Sequence, residues 1–217
     1  MHKTATSLDA NSSIGAARVF SYVVAHDNGF SPNPFHGLLT LACCKPKIRQ
    51  TAHVGDIIVG LSRRCERVIY AMQVAEVIGF HEYWDDPDYS AKRPTWDSPH
   101  LVDRNGDNIY EPVGREFRQM RSWHSNPDGS ENPGHKRRDL GHEYDNSVLV
   151  SEHFIYWGGS GPLLPAELSF LRVGRAHRCR FSVEQVEAVG RWFSSQPRGM
   201  LGAPSNWKAG DESWRDS

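Results

Sequence analysis

Absences narrow the field first. The 217-residue chain has no apolar run of 18 residues, no signal-peptide pattern and no lipidation motif. Nothing therefore supports secretion or membrane spanning, and a cytoplasmic protein is expected. Net charge is almost missing: 25 Lys and Arg stand against 26 Asp and Glu, a formal −1. That argues against a globally basic surface sliding on DNA. Only four cysteines occur, Cys43, Cys44, Cys65 and Cys179, and their spacings match no zinc pattern. Eleven histidines are scattered, with no H-x-x-x-H pair in a helical pattern. There is no G-x-x-x-x-G-K-[ST] loop, no G-x-G-x-x-G between strand and helix, no G-x-S-x-G elbow and no internal repeat. Asp103-Arg-Asn-Gly-Asp107-Asn resembles part of a calcium loop, but Pro112 stands where the closing acidic ligand belongs. No metal and no cofactor is expected.

Against these absences, the run Asp27–Ile58 is rich. Its loop, Asn28-Gly-Phe-Ser-Pro-Asn-Pro, is stiffened by two prolines and a glycine. Pro46 suits the first turn of a helix. Lys45, Lys47 and Arg49 crowd that turn, where the positive end of the helix dipole should repel them. An anion at the helix start would resolve the conflict, and Lys45 and Arg49, four residues apart, would share its face. The basic residues also cluster. Six Lys and Arg lie between Cys43 and Tyr70, and four arginines lie between Arg172 and Arg180 with no acid among them. Basic patches on a neutral chain suit a particular anionic ligand.

Strand patterns cover Arg18–Ala25, Leu38–Cys43, Gly55–Gly60, Arg67–Val77, Ser147–Ser151 and Phe154–Gly158. Helices are expected over Pro46–Ala52, around Glu82–Tyr89, and after a capping box at Ser182 and Gln185. Residues 97–146 read as a long irregular insert, mobile over 125–134. The order predicts an α+β fold, a small mixed barrel or curved sheet. Its expected limits are a disordered lead-in over 1–16, one domain over 17–196 and a flexible tail over 197–217.

Tyr83, Trp84, Trp96, Tyr110, Trp123, Tyr156 and Trp157 sit in polar, turn-rich sequence, as a pocket stacking a nucleobase requires. Gly158-Gly-Ser-Gly-Pro reads as a tight turn, or as room for a ligand beside Trp157. Cys43 or Cys44 could be a nucleophile beside the cationic helix start, although packing as small buried hydrophobes is the preferred reading.

Phe20-Ser-Tyr-Val-Val, Asp27-x-Gly-x-x-Pro-Asn-Pro, Leu39-Thr-Leu-Ala-x-Cys-Lys-Pro-x-Ile-Arg, Gly55-Asp-Ile-Ile-Val-Gly and Val68-Ile-Tyr-Ala-Met-Gln-Val carry a resemblance. Together with Tyr83-Trp84, Gly106-Asp-Asn-Ile-Tyr and Trp157-Gly-Gly, they resemble the nucleotide modification associated domain of the second type over residues 18–195. That family is prokaryotic and phage-borne, so the resemblance implies a bacterial base-modification or phage-conflict context rather than a reaction. More loosely, strand–helix–Gly-Asp–strand is similar to PUA-like and EVE-type modules, which hold a modified base in a cage.

The leading expectation is a pocket for a nucleotide or modified nucleic-acid base, with DNA, RNA and free nucleotide all open. Lys45 and Arg49 would seat phosphate, and Tyr83, Trp84, Tyr110 and Trp157 would stack the base. Asn33, Asp107 and Asn108 would read its edge. One alternative is an enzyme using Asp27, Asp56 or Asp107 as general acid or base. Another is a protein-interaction component of a modification or defence system, with the 97–146 insert as its contact surface.

Overall fold

β-branched and aromatic runs supply the strands, and short turn-rich pieces supply everything between them. The computed structural model describes residues 17–174, 176–208 and 213–216; the lead-in expected over 1–16 lies outside the described residues. In chain order the elements are β1 (Val19–Val23), β2 (Leu39–Leu41), α1 (Pro46–Thr51), β3 (Ile57–Leu61), β4 (Val68–Gln73), β5 (Glu76–Ile78), α2 (Phe80–Asp85) and α3 (Leu101–Arg104). There follow β6 (Tyr110–Val113), β7 (Glu116–Gln119), α4 (Pro133–Leu140), β8 (Val148–Ser151), β9 (His153–Tyr156), β10 (His177–Arg178), α5 (Val183–Ser194) and β11 (Gly199–Met200).

Six strands form one mixed sheet in the order β10-β1-β3-β4-β9-β11, with β1 parallel to β3 and β9 parallel to β11. A second sheet has the order β2-β8-β5, and β6-β7 is a separate hairpin. The α+β expectation holds, but the sheets are open: among the described residues no closed PUA-like barrel forms. Apolar residues on both faces explain why. On one face Phe20, Ile58, Tyr70 and Met72 pack on Leu39, Leu41 and Ile48. On the other, Val19, Val59, Val68 and Ala71 pack on Val189 and Phe193 of α5. A sheet covered on both faces has no need to curl shut.

Simple alternation along β4 would put Val68 on the same face as Tyr70, Met72 and Val74, but it breaks at the register shift between Gly60 and Leu61, where Gly60 pairs with Tyr70 and Leu61 with Val68. The bulge sends Val68 to the α5 side, while Tyr70, Met72 and Val74 stay on the other. Ser182 caps α5 as expected, its hydroxyl accepting from Gln185 N and its own N–H donating to Gln185 Oε1.

Two regions depart from the sequence expectation in ways that build the site. The insert is folded: α3, the β6-β7 hairpin and α4 close over their own core, which includes Phe80, Ile109, Tyr110, Phe117 and Leu140. Residues 125–134, expected to be mobile, hold a hydrogen-bonded turn, with Asn126 Nδ2 donating to Glu131 O at 2.7 Å. The segment after 197, expected to be a flexible tail, adds β11 to the large sheet and then crosses the Gly158–Gly161 turn. A Cβ on Gly158 would lie 2.0 Å from Ala203 O, so the glycine leaves room for a crossing strand of backbone. The crossing delivers residues 206–208 to the mouth of a cavity.

Candidate functional site

Cys44 lies three residues beyond the end of β2, and its backbone is held in an uncommon shape. Both Cys44 (φ 60°) and Lys45 (φ 40°) lie in the left-handed region, at a cost of about 1–3 kcal/mol each for residues with a Cβ. Cys44 N–H donates to Asp139 Oδ1 at 2.9 Å, and Cys44 O accepts from Arg49 Nε at 2.8 Å. The residue is clamped on both sides while its side chain stays half-buried at the cavity wall.

Asp139 lies near the end of α4, whose first turn is capped by Asn132 Oδ1 accepting from Gly134 N and His135 N. Its carboxylate is fully buried and fully engaged. Oδ2 accepts from His124 Nδ1 at 2.5 Å and from Tyr110 OH at 2.8 Å. Arg49 donates from Nη2 to Asp139 O at 2.6 Å, with its guanidinium 3.9 Å from Oδ1. The other nitrogen of His124, Nε2, lies 3.4 Å from Cys44 Sγ. Phe30 meets the imidazole edge-on at 4.9 Å, and the His135 ring lies 4.1 Å away. Gln119 fixes the surrounding backbone, donating to His124 O and accepting from Asn132 N.

Cys44, His124 and Asp139 thus form a thiol–imidazole–carboxylate relay with the thiol on the cavity side. The electrostatics agree with the geometry. Burial alone would lower the His124 pKa, but hydrogen bonds with Asp139 and Cys44 outweigh it and carry it up to about 9. Burial likewise opposes ionisation of Asp139, yet the His124 hydrogen bond and charge, with Arg49, hold its carboxyl below the usual range. His135 is pushed down by burial and by the His124 charge, leaving one charged imidazole in the pair.

The cavity holds about 830 Å³. Trp123 and Trp207 supply indole faces, Asn28, Asn105 and Asn206 supply amides, and Arg104 and Lys208 supply charge; among the described residues no Asp or Glu lines it. Trp207 is pinned by Nε1 donating to Asn28 O at 2.9 Å and by stacking on Phe35 at 5.7 Å. Trp123 Nε1 donates to Asn105 Oδ1 at 2.5 Å.

None of the residues expected to bind ligand lines this cavity. Arg49 is a buried strut, spent on Cys44 O, Ser147 O and Asp139. Lys45 turns its ammonium over the Tyr22 ring at 4.5 Å, so the two cations form no joint anion seat. Burial makes Asn33, Tyr83, Asp107 and Asn108 scaffold: Tyr83 OH donates to Asp107, which also accepts from Thr40 and Ala42 N. Asn33 Nδ2 holds Gly29 O and Asn105 O, and Asn108 Nδ2 holds Tyr83 O. Trp84 lies under Arg93 at 4.3 Å, and Trp157 packs on Trp192 at 6.0 Å. Tyr110 supports the relay from behind, through Asp139.

The expected acid–base carboxylates are structural as well. Asp27 binds Tyr156 OH and Ser205, fastening the crossing segment to the large sheet. Asp56 holds Arg18 and His53 N at the start of β3. The residues that do meet at the cavity, His124, Asn105, Arg104, Asn206, Trp207 and Lys208, carry no local motif. Cys44, Trp123 and the loop residues Asn28, Phe30 and Ser31 had a sequence signal.

Cys43, His124 and Asp139 also offer three ligand atoms within 4.8 Å of one another, all buried. The fit to a metal is poor. His124 already spends one nitrogen on Asp139 and aims the other at Cys44, and burial pushes the Cys43 thiol well up, away from the thiolate a metal needs.

Fold and site together define an α+β protein with a thiol–imidazole–carboxylate cluster opening into an aromatic cleft. The chain matches the family described as nucleotide modification associated domain 2 over residues 16–211, and it belongs to that family. No curated protein and no solved structure matches it. Among the described residues, no helix is long and apolar enough to cross a membrane.

Proposed function

We propose that the protein is a cysteine-dependent acyl-transfer enzyme acting on a nucleotide or a nucleic-acid base. The observation that carries this reading is the Cys44–His124–Asp139 relay with its thiol on the wall of the 830 Å³ cleft. The family supplies the nucleotide-modification context. The lining supports a nucleotide: indole faces for the base, amides for its edge, cations for phosphate and, among the described residues, no competing carboxylate.

In the first step the Cys44 sulfur, as thiolate beside the His124 imidazolium, attacks the carbonyl carbon of an amide or ester group carried by the nucleotide. The bond from that carbon to nitrogen or oxygen breaks. The departing amine or alcohol takes the proton from His124 Nε2, leaving a thioester on Cys44. Water or an amine then attacks the thioester, gives its proton to Nε2, and the sulfur leaves. No electrons change hands, so no oxidant or reductant is called for. Asp139 orients the imidazole through Nδ1 and stabilises its charge.

The test is thiol reactivity. Iodoacetamide at pH 7, followed by peptide mass spectrometry, should alkylate Cys44 at least tenfold faster than the exposed Cys179, and His124→Gln should remove that advantage. Equal rates, or a rate indifferent to His124, would sink the nucleophile and leave the cleft as a binding site only. Chelator should leave the labelling unchanged; a rise on chelation would favour a metal on Cys43, His124 and Asp139 instead.

A further inference from the structure

The cleft mouth carries more charge and more aromatic surface than one nucleotide can use. Arg104 and Lys208 both line it, from α3 and from the crossing segment. Arg63 extends the cationic side: its Nε donates to Ala25 O at 2.6 Å, and Nη2 lies 3.4 Å from His26, itself a lining residue. On the insert side, Arg121 stands over the Trp96 ring at 5.2 Å, and Trp96 meets Trp123 edge-on at 5.7 Å. Trp123 is 50% exposed, the most exposed large aromatic among the described core-forming and surface hydrophobics. Among the described residues, none of Arg63, Arg104, Arg121 and Lys208 forms an ion pair with a carboxylate, on a chain whose formal charge is −1. The nearest acid on α3, Asp103, accepts from Ser98 Oγ at 2.6 Å.

We propose that the substrate is a base within a single-stranded polynucleotide. This rests on the acyl-transfer reading for what happens at Cys44, but not for binding. The target base enters the cleft between Trp123 and Trp207. A neighbouring base stacks on the exposed Trp123, which the half-buried Trp96 backs edge-on, and the sugar–phosphate backbone follows Arg104, Arg121, Lys208 and Arg63. A free mononucleotide carries its phosphate at one end and would leave most of these cations and the outer indole pair without a partner. A single strand uses them all, because every base has a face to stack and every link has a charge. An enzyme that must reach atoms within a base also works at least cost on a strand that is already unpaired.

The test uses the Cys44→Ser protein, so that binding is read without turnover. Fluorescence anisotropy compares labelled 12-mer single-stranded DNA, the same sequence as RNA, the DNA duplex, and a mononucleotide competitor. A single strand should bind at least tenfold tighter than both the duplex and the mononucleotide; which of DNA and RNA binds tighter identifies the natural strand. Four phosphate contacts on a single strand predict a log–log salt slope of about −2.8, or about a 50-fold loss between 50 and 200 mM salt. Arg104→Gln with Lys208→Gln should flatten the slope by about 1.4. Trp123→Ala should weaken binding by about tenfold, as loss of one stacked base does. If the indole change disturbs folding, the exposed Arg121→Gln carries the same test through the slope. A mononucleotide binding as tightly as the 12-mer, a duplex binding as tightly as the single strand, or a slope unmoved by the cation changes would overturn the proposal. Failure of Cys44 to alkylate would count against acyl transfer alone, because that assay contains no nucleic acid.

Discussion

Asp139→Asn is the change that separates a relay from three residues that merely pack together. Asparagine keeps the volume and can still accept from Cys44 N through Oδ1, the role Asp139 Oδ1 has now. Its amide nitrogen then faces His124 Nδ1, where Asp139 Oδ2 stands. Nδ1 must accept, so the neutral imidazole carries its proton on Nε2, the nitrogen that faces Cys44 Sγ. That tautomer cannot take the thiol proton. Alkylation of Cys44 at pH 7 should fall to the rate of Cys179.

The same change has a thermodynamic readout. His124 goes from an ordinary 6.5 to about 9 in the folded protein, which is about 3 kcal/mol of differential stability. Because the folded value is raised, this contribution is fully present below pH 6.5 and is lost as pH rises to 9. Lys92 acts in the opposite direction. Burial pulls its ammonium from 10.5 down to about 7, so stability from this group rises with pH between those values. The wild-type curve alone therefore conceals both effects. Lys92 binds Asn33 Oδ1, Phe35 O and Leu38 O and has no contact with Asp139, so it cancels when variant is subtracted from wild type. Urea unfolding of both proteins from pH 6 to 9.5 should give a difference that shrinks by about 3 kcal/mol across the window. A difference that stays constant with pH would refute the charged His124–Asp139 pair, whatever the alkylation result.

Two further substitutions bear on the supports. Lys92→Met leaves Asn33 Oδ1, Phe35 O and Leu38 O without their donor and should cost about 1–3 kcal/mol at pH 6, while removing the alkaline gain. Urea unfolding at pH 6 and 9 measures both, and a more stable variant at pH 6 would show that the buried ammonium is not held by those oxygens. Tyr110→Phe removes one of the donors to Asp139 Oδ2 and should cost about 1–3 kcal/mol of stability, with Cys44 alkylation within about threefold of wild type. A fall to the Asp139→Asn rate would make the Tyr110 hydroxyl part of the relay rather than a prop behind it.

The fold was legible where a pattern is local. The helix start at Pro46, the Ser182–Gln185 box and most β-branched runs lie where the sequence places them, because strand alternation and capping are set within a few residues; the one strand expected over Arg67–Val77 instead divides into β4 and β5, which join different sheets. The bulge beside Gly60 was not legible, since it depends on which residue of β4 each residue of β3 meets. Most of the site was not legible for the same reason. Cys44 lies 80 residues from His124 and 95 from Asp139, and no periodicity spans such gaps. The closing segment was concealed by composition: its Gly, Pro and Ser give no core signal, and it docks through Asp27 and the Gly158 crossing rather than through an apolar face.

One local signal did point to the right place for the wrong reason. The cations around Pro46 conflict with the helix dipole, and the expected resolution was an external anion. α1 has only six residues, so its dipole is weak; Lys47 stays on the surface with Gln50, while Lys45 and Arg49 turn to partners of the protein itself. Arg49 turns back to carbonyl oxygens and the buried Asp139, and in doing so fixes Cys44 in its left-handed conformation. The anion that answers the cationic helix start is thus the carboxylate of the relay. A local rule broken in sequence marked the point where the chain is strained to present a reactive side chain, which is where such breaks are expected.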